Sequence, residues 1–161
     1  QVDVAGPDIP VLAAGGISRG RQIAAAFALG AQGVWTGTIW LGTRESELTP
    51  MEKEVLFKAK SEDAVQRKWM TGKTGRMIRS KASEAWEQPG APRHLKPPLQ
   101  NILYHGARIR IEKAHRDDLC SFPAGQVVGN MKEETSVRQV MQDLMQEYID
   151  TAERISPLIN L

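Results

Sequence analysis

The chain has little cysteine, few aromatic residues and no long hydrophobic run. Cys120 is the only cysteine among 161 residues, so an internal disulfide is impossible and nothing indicates an oxidising compartment. No apolar stretch approaches the roughly 18 residues of a membrane-spanning helix, and the opening residues lack the pattern of a cleaved secretion signal. We therefore expect a cytoplasmic protein with no membrane partner.

The chain also has little net charge. The 21 lysines and arginines and the 19 acidic residues leave a net charge of +2, which argues against the broad basic surface of a nucleic-acid-binding protein. The hydrophobic fraction of 41% and the charged fraction of 25% are typical of a globular chain and exclude global disorder. The length allows a real core, but a complete (β/α)8 barrel typically needs roughly 250 residues.

The first quarter of the chain has the pattern of a buried α/β unit. Only five of the first 44 residues are charged. The apolar run at 9–14 predicts a strand covered on both faces, and the helix formers at 22–29, followed by Gly30, predict a helix with a glycine C-cap. A second apolar run at 33–36 predicts another strand. The order strand, helix, strand indicates two parallel strands and an α/β fold.

The rest of the chain is charged and predicts mainly helices. Pro50 suits the first turn of one helix, residues 81–87 and 99–114 predict two more, and Ser136 with Gln139 forms a capping box before a last helix that Pro157 should end. Residues 71–80 predict a basic, glycine-broken loop. We accordingly expect three consecutive segments, at 1–44, 45–115 and 116–161.

Glycines follow both predicted strands. Gly15 and Gly16 end the first strand just before a helix, where backbone N–H groups and the positive helix terminus can hold a phosphate, with Arg19 or Arg21 adding charge. The alternative is a tight turn with no ligand. Gly37 follows the second strand about twenty residues later, and neighbouring strand ends of this kind bind phosphate in (β/α)8 barrels.

Residues 11–17 and 33–38 together resemble the nitronate monooxygenase family, formerly called 2-nitropropane dioxygenases, and 71–79 and 123–126 are similar to it more loosely. The family consists of FMN-dependent (β/α)8-barrel enzymes. The resemblance implies that the FMN phosphate is held by backbone amides and threonine hydroxyls of Gly15, Gly16, Trp35, Thr36, Gly37 and Thr38. Glutamine is common in the family where Trp35 stands. The family's catalytic histidine is expected upstream of Gln1, so no catalytic residue is assigned here.

The resemblance implies a partial barrel, its last two β/α units, followed by mostly helical segments. The implied reaction is oxidation of an alkyl nitronate by O2 on FMN. Because the same glycine pattern occurs in flavin-dependent enoyl-acyl-carrier reductases, such a reductase is one alternative. A non-catalytic truncated module is another, and its open sheet edges would favour self-association.

Rival chemistries rest on single motifs. Residues 16–20 form a G-x-S-x-G sequence, so an α/β serine hydrolase using Ser18 is a third alternative, although only one further predicted strand follows it. The three histidines at 94, 105 and 115 lie beyond the predicted strands and are expected to be surface or helix-end residues. Glu112 and His115 lack the partners of a di-iron helix, so no metal site is expected.

Overall fold

A computed structural model describes residues 2–6 and 8–159. Its helices are α1 (Val2–Ala5), α2 (Gly20–Ala28), α3 (Pro50–Lys58), α4 (Lys81–Ala85), α5 (Leu99–Lys113) and α6 (Val137–Ile159). Its strands are β1 (Leu12–Ala14), β2 (Gly33–Trp35), β3 (Ala64–Arg67) and β4 (Gly75–Ile78). Short 3-10 turns lie at Thr38–Trp40, Ser61–Asp63, Asp117–Leu119 and Gln126–Asn130.

The chain folds as two compact units. The terminal unit consists of the described residues up to Ser46 together with those from Glu134 onward, and the central unit is Glu47–Glu133. This division differs from the three consecutive segments expected from the sequence, because α6 packs against α2 and so joins the two ends of the chain in one unit.

The terminal unit contains a strand–helix–strand crossover. β1 and β2 pair in parallel, with Leu12 opposite Gly33 and Ala14 opposite Trp35, which confirms the predicted α/β character. Gly30 ends α2 with φ +92°, the left-handed conformation expected of a C-terminal glycine. The prediction that the strands are covered on both faces is wrong: Leu12 is 49% and Trp35 71% exposed. Among the described residues, these two strands pair only with each other.

Helices α2 and α6 touch at a glycine. A Cβ atom on Gly20 would collide with the carbonyl oxygen of Leu144 and the backbone nitrogen of Tyr148. The Phe27 and Tyr148 rings meet edge to face with centroids 5.7 Å apart. Pro157 does not end α6 as predicted; it lies within the helix, which continues to Ile159. A proline there lacks one helical N–H donor, and its ring crowds the preceding turn.

The central unit combines helices with a hairpin. Pro50 opens α3 as predicted, and Thr49 caps that helix in a capping box with Glu52. β3 and β4 pair antiparallel, so the predicted 71–80 loop is partly wrong: its second half is a strand in which Met77 and Ile78 are buried. Buried aromatic and methionine side chains, Trp69, Met70, Met77 and Tyr104, form a core cluster. No helix of the described residues is long and apolar enough to cross a membrane.

Candidate functional site

Two glycine turns lie side by side at the carboxyl ends of β1 and β2. Because Ala14 pairs with Trp35, the Gly15–Gly16 turn begins next to the segment that starts at Thr36. Gly15 and Gly16 have φ of +91° and +72°, which side chains rarely adopt. A Cβ atom on either glycine, or on Gly37, would meet no heavy atom within 4 Å. The two turns therefore present exposed backbone and open space at one edge of the sheet.

The second turn passes directly into a short helical turn. Trp35 is largely exposed, and Thr36 is half-buried. The Thr36 carbonyl accepts a hydrogen bond of 3.1 Å from the indole Nε1 of Trp40, and the Gly37 carbonyl accepts one from the Trp40 backbone N–H. Thr38 opens the 3-10 turn Thr38–Trp40. The six residues singled out in the sequence thus lie at the end of β2 and in the two adjacent turns, at one edge of a single unit.

The first turn is held by a side chain that the sequence reasoning missed. The Gln22 amide nitrogen donates to the Gly16 carbonyl at 2.8 Å, and its Oε1 accepts from the backbone N–H groups of Ser18 at 2.8 Å and Arg19 at 3.1 Å. Gln22 therefore ties the glycine turn to the first turn of α2. The available signal was a lone amide residue at the start of an otherwise alanine-rich helix.

The amino terminus of α2 already has an anionic partner. The Gly20 N–H donates to Glu147 Oε2 at 2.7 Å, and Arg21 forms a 3.3 Å ion pair with Glu147 Oε1. A carboxylate on α6 thus compensates the positive end of the helix. The expectation that this terminus, with Arg19 or Arg21, receives a phosphate stays a prediction, and an added anion there would also meet the carboxylate of Glu147. The backbone at Gly15, Gly16 and Gly37 has open space beside it.

The structure gives no support to a serine nucleophile, a cysteine nucleophile or a metal site among the described residues. Ser18 belongs to the terminal unit, whose sequence contains no histidine; all three histidines belong to the central unit, where His94 stacks on Trp86 with centroids 5.2 Å apart. Burial raises the pKa of the Cys120 thiol to about 12, which leaves it protonated and unreactive as a nucleophile. No cluster of three metal-ligating side chains occurs within residues 2–6 and 8–159.

Comparison with known proteins identifies the family. The nitronate monooxygenase family model matches residues 2–147, which is most of the chain. This chain belongs to the nitronate monooxygenase family. The family assignment agrees with the resemblance carried by the two glycine turns.

Individual relatives are longer than this chain. One relative is a Mycobacterium tuberculosis protein that is named as a monooxygenase. It is 43% identical over 164 residues, which cover 98% of this chain and 44% of that protein. A solved nitroalkane oxidase from Streptomyces ansochromogenes is similar with 30% identity and a TM-score of 0.78, over 92% of this chain and 42% of that one. The solved structure of FabK from Thermotoga maritima is similar with 32% identity and a TM-score of 0.73, over 93% of this chain and 47% of that one. The chain thus spans less than half the length of these relatives.

Proposed function

We propose that this chain supplies the phosphate end of an FMN site in a nitronate monooxygenase-type oxidoreductase. The observation that carries the proposal is the pairing of Ala14 with Trp35, which sets the Gly15–Gly16 turn beside Gly37 with open space above all three glycines. A phosphate needs converging N–H donors and no obstructing side chains, and glycine turns at neighbouring strand ends supply both. The residues present therefore fit a phosphate-bearing cofactor.

We infer that β1 and β2 are the last two strands of a (β/α)8 barrel. In such a barrel every strand has a neighbour on each side and helices outside. Leu12 and Trp35, which are exposed here, would then be covered by further strands and by bound cofactor. Family membership and the length of the relatives support this interpretation.

Each group has a distinct part in the proposed site. Gly15, Gly16 and Gly37 would let the backbone approach the phosphate closely, and the hydroxyls of Thr36 and Thr38 would donate to it. Gln22 orients the first turn through its bonds to Gly16 and Ser18. Bound FMN would supply the redox chemistry, oxidation of an alkyl nitronate with O2 as the acceptor. No described residue is given the role of catalytic base.

A comparison of FMN with riboflavin tests the phosphate site directly. The two flavins share the isoalloxazine and differ in the phosphate, so we expect the chain to bind FMN at least about tenfold more tightly, as one charge-assisted hydrogen bond alone would produce. Flavin fluorescence during titration with protein measures both affinities. Equal affinities for the two flavins would refute the phosphate site.

A pair of glycine variants locates the binding. Gly16→Glu puts an anion into the proposed site and should abolish the preference for FMN. Gly90→Glu is the matched control, because Gly90 also has a positive φ and open space but lies in the central unit. Circular dichroism of both variants checks that the fold is retained. Loss of FMN preference in both variants, or in neither, would contradict the assignment.

A chimera tests the reaction. Replacing the matched segment of the mycobacterial relative with this chain should give a protein that consumes O2 when an alkyl nitronate is added, and Gly16→Glu should remove that activity. The alternative, an enoyl-acyl-carrier reductase, predicts that flavin first reduced with dithionite is reoxidised by an enoyl thioester under anaerobic conditions. A chimera that retains FMN and responds only to the thioester would overturn the monooxygenase assignment.

A further inference from the structure

The central unit has a small open cavity of about 250 Å³ against one face of α5, which we call the α5 pocket. None of its lining residues is among the proposed phosphate-binding residues, and all belong to the central unit. The residues that matter for its chemistry are Trp69, Trp86, Leu103, Tyr104, Gly106 and Arg110. A cavity of this size holds one aromatic ring with a small substituent, since benzene fits an engineered cavity of roughly 150 Å³.

The floor of the pocket is aromatic and rigid. Trp69 and Tyr104 are 3% and 7% exposed and meet edge to face with centroids 4.7 Å apart. The Tyr104 hydroxyl donates to the Ser121 carbonyl at 3.0 Å, so its polar atom is already satisfied by the protein. Trp86, half-buried at the side, is held by stacking on His94. Preformed aromatic surfaces of this kind favour a planar ring.

A second buried polar group of the lining is also engaged, whereas the indole Nε1 of Trp69 is buried without a hydrogen-bond partner among the described residues. Gln100 donates from Nε2 to the Trp69 carbonyl at 2.6 Å and accepts the Leu95 backbone N–H on Oε1 at 2.9 Å. These two bonds use the amide in the protein's own structure. A ligand therefore meets an apolar surface over most of the pocket, and a charge on it would be recognised at the rim.

The rim carries a single available cation. Arg110 is exposed, and none of the described carboxylates forms an ion pair with its guanidinium. Its neighbours one helical turn away are uncharged or basic: Gly106, Ala107, Lys113 and Ala114. A guanidinium presents planar, paired N–H donors that match a carboxylate.

A glycine is part of the pocket lining. Gly106 lies in the interior of α5, where glycine weakens a helix relative to alanine. Close packing does not require it, because a Cβ atom there would meet nothing within 4 Å. Its ordinary φ does not require it either. A larger residue at this position would instead extend into the pocket.

We propose that the α5 pocket binds a small aromatic carboxylate, with its ring against the Trp69, Tyr104 and Trp86 surface and its carboxylate on Arg110. The inference does not depend on the proposed flavin site, because its residues and its ligand are different. The ring supplies the apolar area, and the single charge matches the single cation at the rim.

Benzoate is the probe, and the tryptophan side chains report its binding. The chain has four tryptophans, and each gives one indole N–H signal in an NMR spectrum of the 15N-labelled protein. We expect millimolar benzoate to shift the signals of Trp69 and Trp86 saturably, while those of Trp35 and Trp40, in the terminal unit, stay fixed. Single Trp→Phe variants assign the four signals. Absence of a saturable shift at Trp69 and Trp86 would overturn the proposal.

Variants of charged residues separate recognition of the carboxylate from recognition of the ring. Arg110→Gln should weaken benzoate binding roughly tenfold, as loss of a charge-assisted hydrogen bond implies, and should leave benzyl alcohol binding unchanged. Lys113→Gln is the matched control, because it removes the same charge from the same helix outside the pocket. Equal effects of the two variants on benzoate would mean nonspecific attraction of an anion and would refute the site.

Gly106→Leu tests the pocket itself. The leucine side chain should occupy the cavity and abolish binding of both benzoate and benzyl alcohol. Helix content and melting temperature should not fall, because leucine favours a helix and has open space here. Unchanged benzoate affinity in a folded Gly106→Leu protein would show that the ligand binds elsewhere, which contradicts the proposal.

Discussion

At the scale of single residues, burial in the central unit favours the neutral forms of a thiol and a phenol. Cys120 is 5% exposed, and burial, followed by the negative charges of Glu52 and Glu112, raises its pKa to about 12. Burial likewise raises the pKa of Tyr104 to about 12. Both side chains support packing rather than chemistry, because their ionised forms would lie in an apolar core.

The raised thiol pKa predicts how Cys120 reacts and how stability depends on pH. In the unfolded chain the thiol ionises near its ordinary pKa, so the stability linked to it is fully present below that value and is lost as pH rises toward about 12. We expect iodoacetamide to label Cys120 slowly in the folded chain at mildly alkaline pH and rapidly in denaturant. Mass spectrometry over time measures both rates. Similar rates in the two states would show that the thiol is exposed.

At the scale of secondary-structure elements, the two helical glycines at 20 and 106 have opposite roles. Gly20 lets α2 approach the backbone of α6, so that Glu147 reaches the N–H of Gly20. Gly106 has no such neighbour. The same substitution at these positions therefore separates intrinsic helix preference from packing between helices.

Alanine variants of the two glycines should shift stability in opposite directions. Gly106→Ala should stabilise the chain by about 0.5–1 kcal/mol, because alanine is the better helix former and no atom opposes it. Gly20→Ala should destabilise it by roughly 1–3 kcal/mol, because α2 and α6 must move apart. Urea unfolding followed by circular dichroism gives both free energies. A Gly20→Ala chain as stable as the parent would mean that α2 and α6 do not pack closely at this glycine.

At the scale of the whole molecule, the terminal unit exposes apolar surface around its two-stranded sheet. Ile9, Leu12, Leu29 and Trp35 are between 49% and 82% exposed. An open parallel strand edge with adjacent apolar side chains is a typical site of association between chains. The same surface is what further strands of a barrel would cover.

We expect the 161-residue chain to self-associate through this surface. Leu12→Lys should lower the association measured by sedimentation velocity, because a lysine on an open strand opposes pairing with another chain. Ile102→Lys is the control, since Ile102 is 67% exposed but lies in the central unit. If the control variant reduces association as much as Leu12→Lys, the contact does not depend on the sheet.

The sequence alone determined the features that depend on local interactions. The crossover of β1, α2 and β2 follows from two apolar runs around a helix-forming segment, and the starts of α3 and α6 follow from Pro50 and from the cap at Ser136. The glycine turns at the strand ends were identifiable for the same reason. Local backbone preference and side-chain capping involve residues close in sequence, so they can be read without the fold.

Only the tertiary structure decided which groups that are distant in sequence contact one another. Glu147 reaches the amino terminus of α2 from 127 residues away in the sequence, and no local pattern indicates that partner. The β3–β4 hairpin depends on the burial of Met77 and Ile78. The α5 pocket depends on which side of α5 faces Trp69. Contacts between distant residues depend on how elements pack, and no local pattern in the sequence encodes that packing.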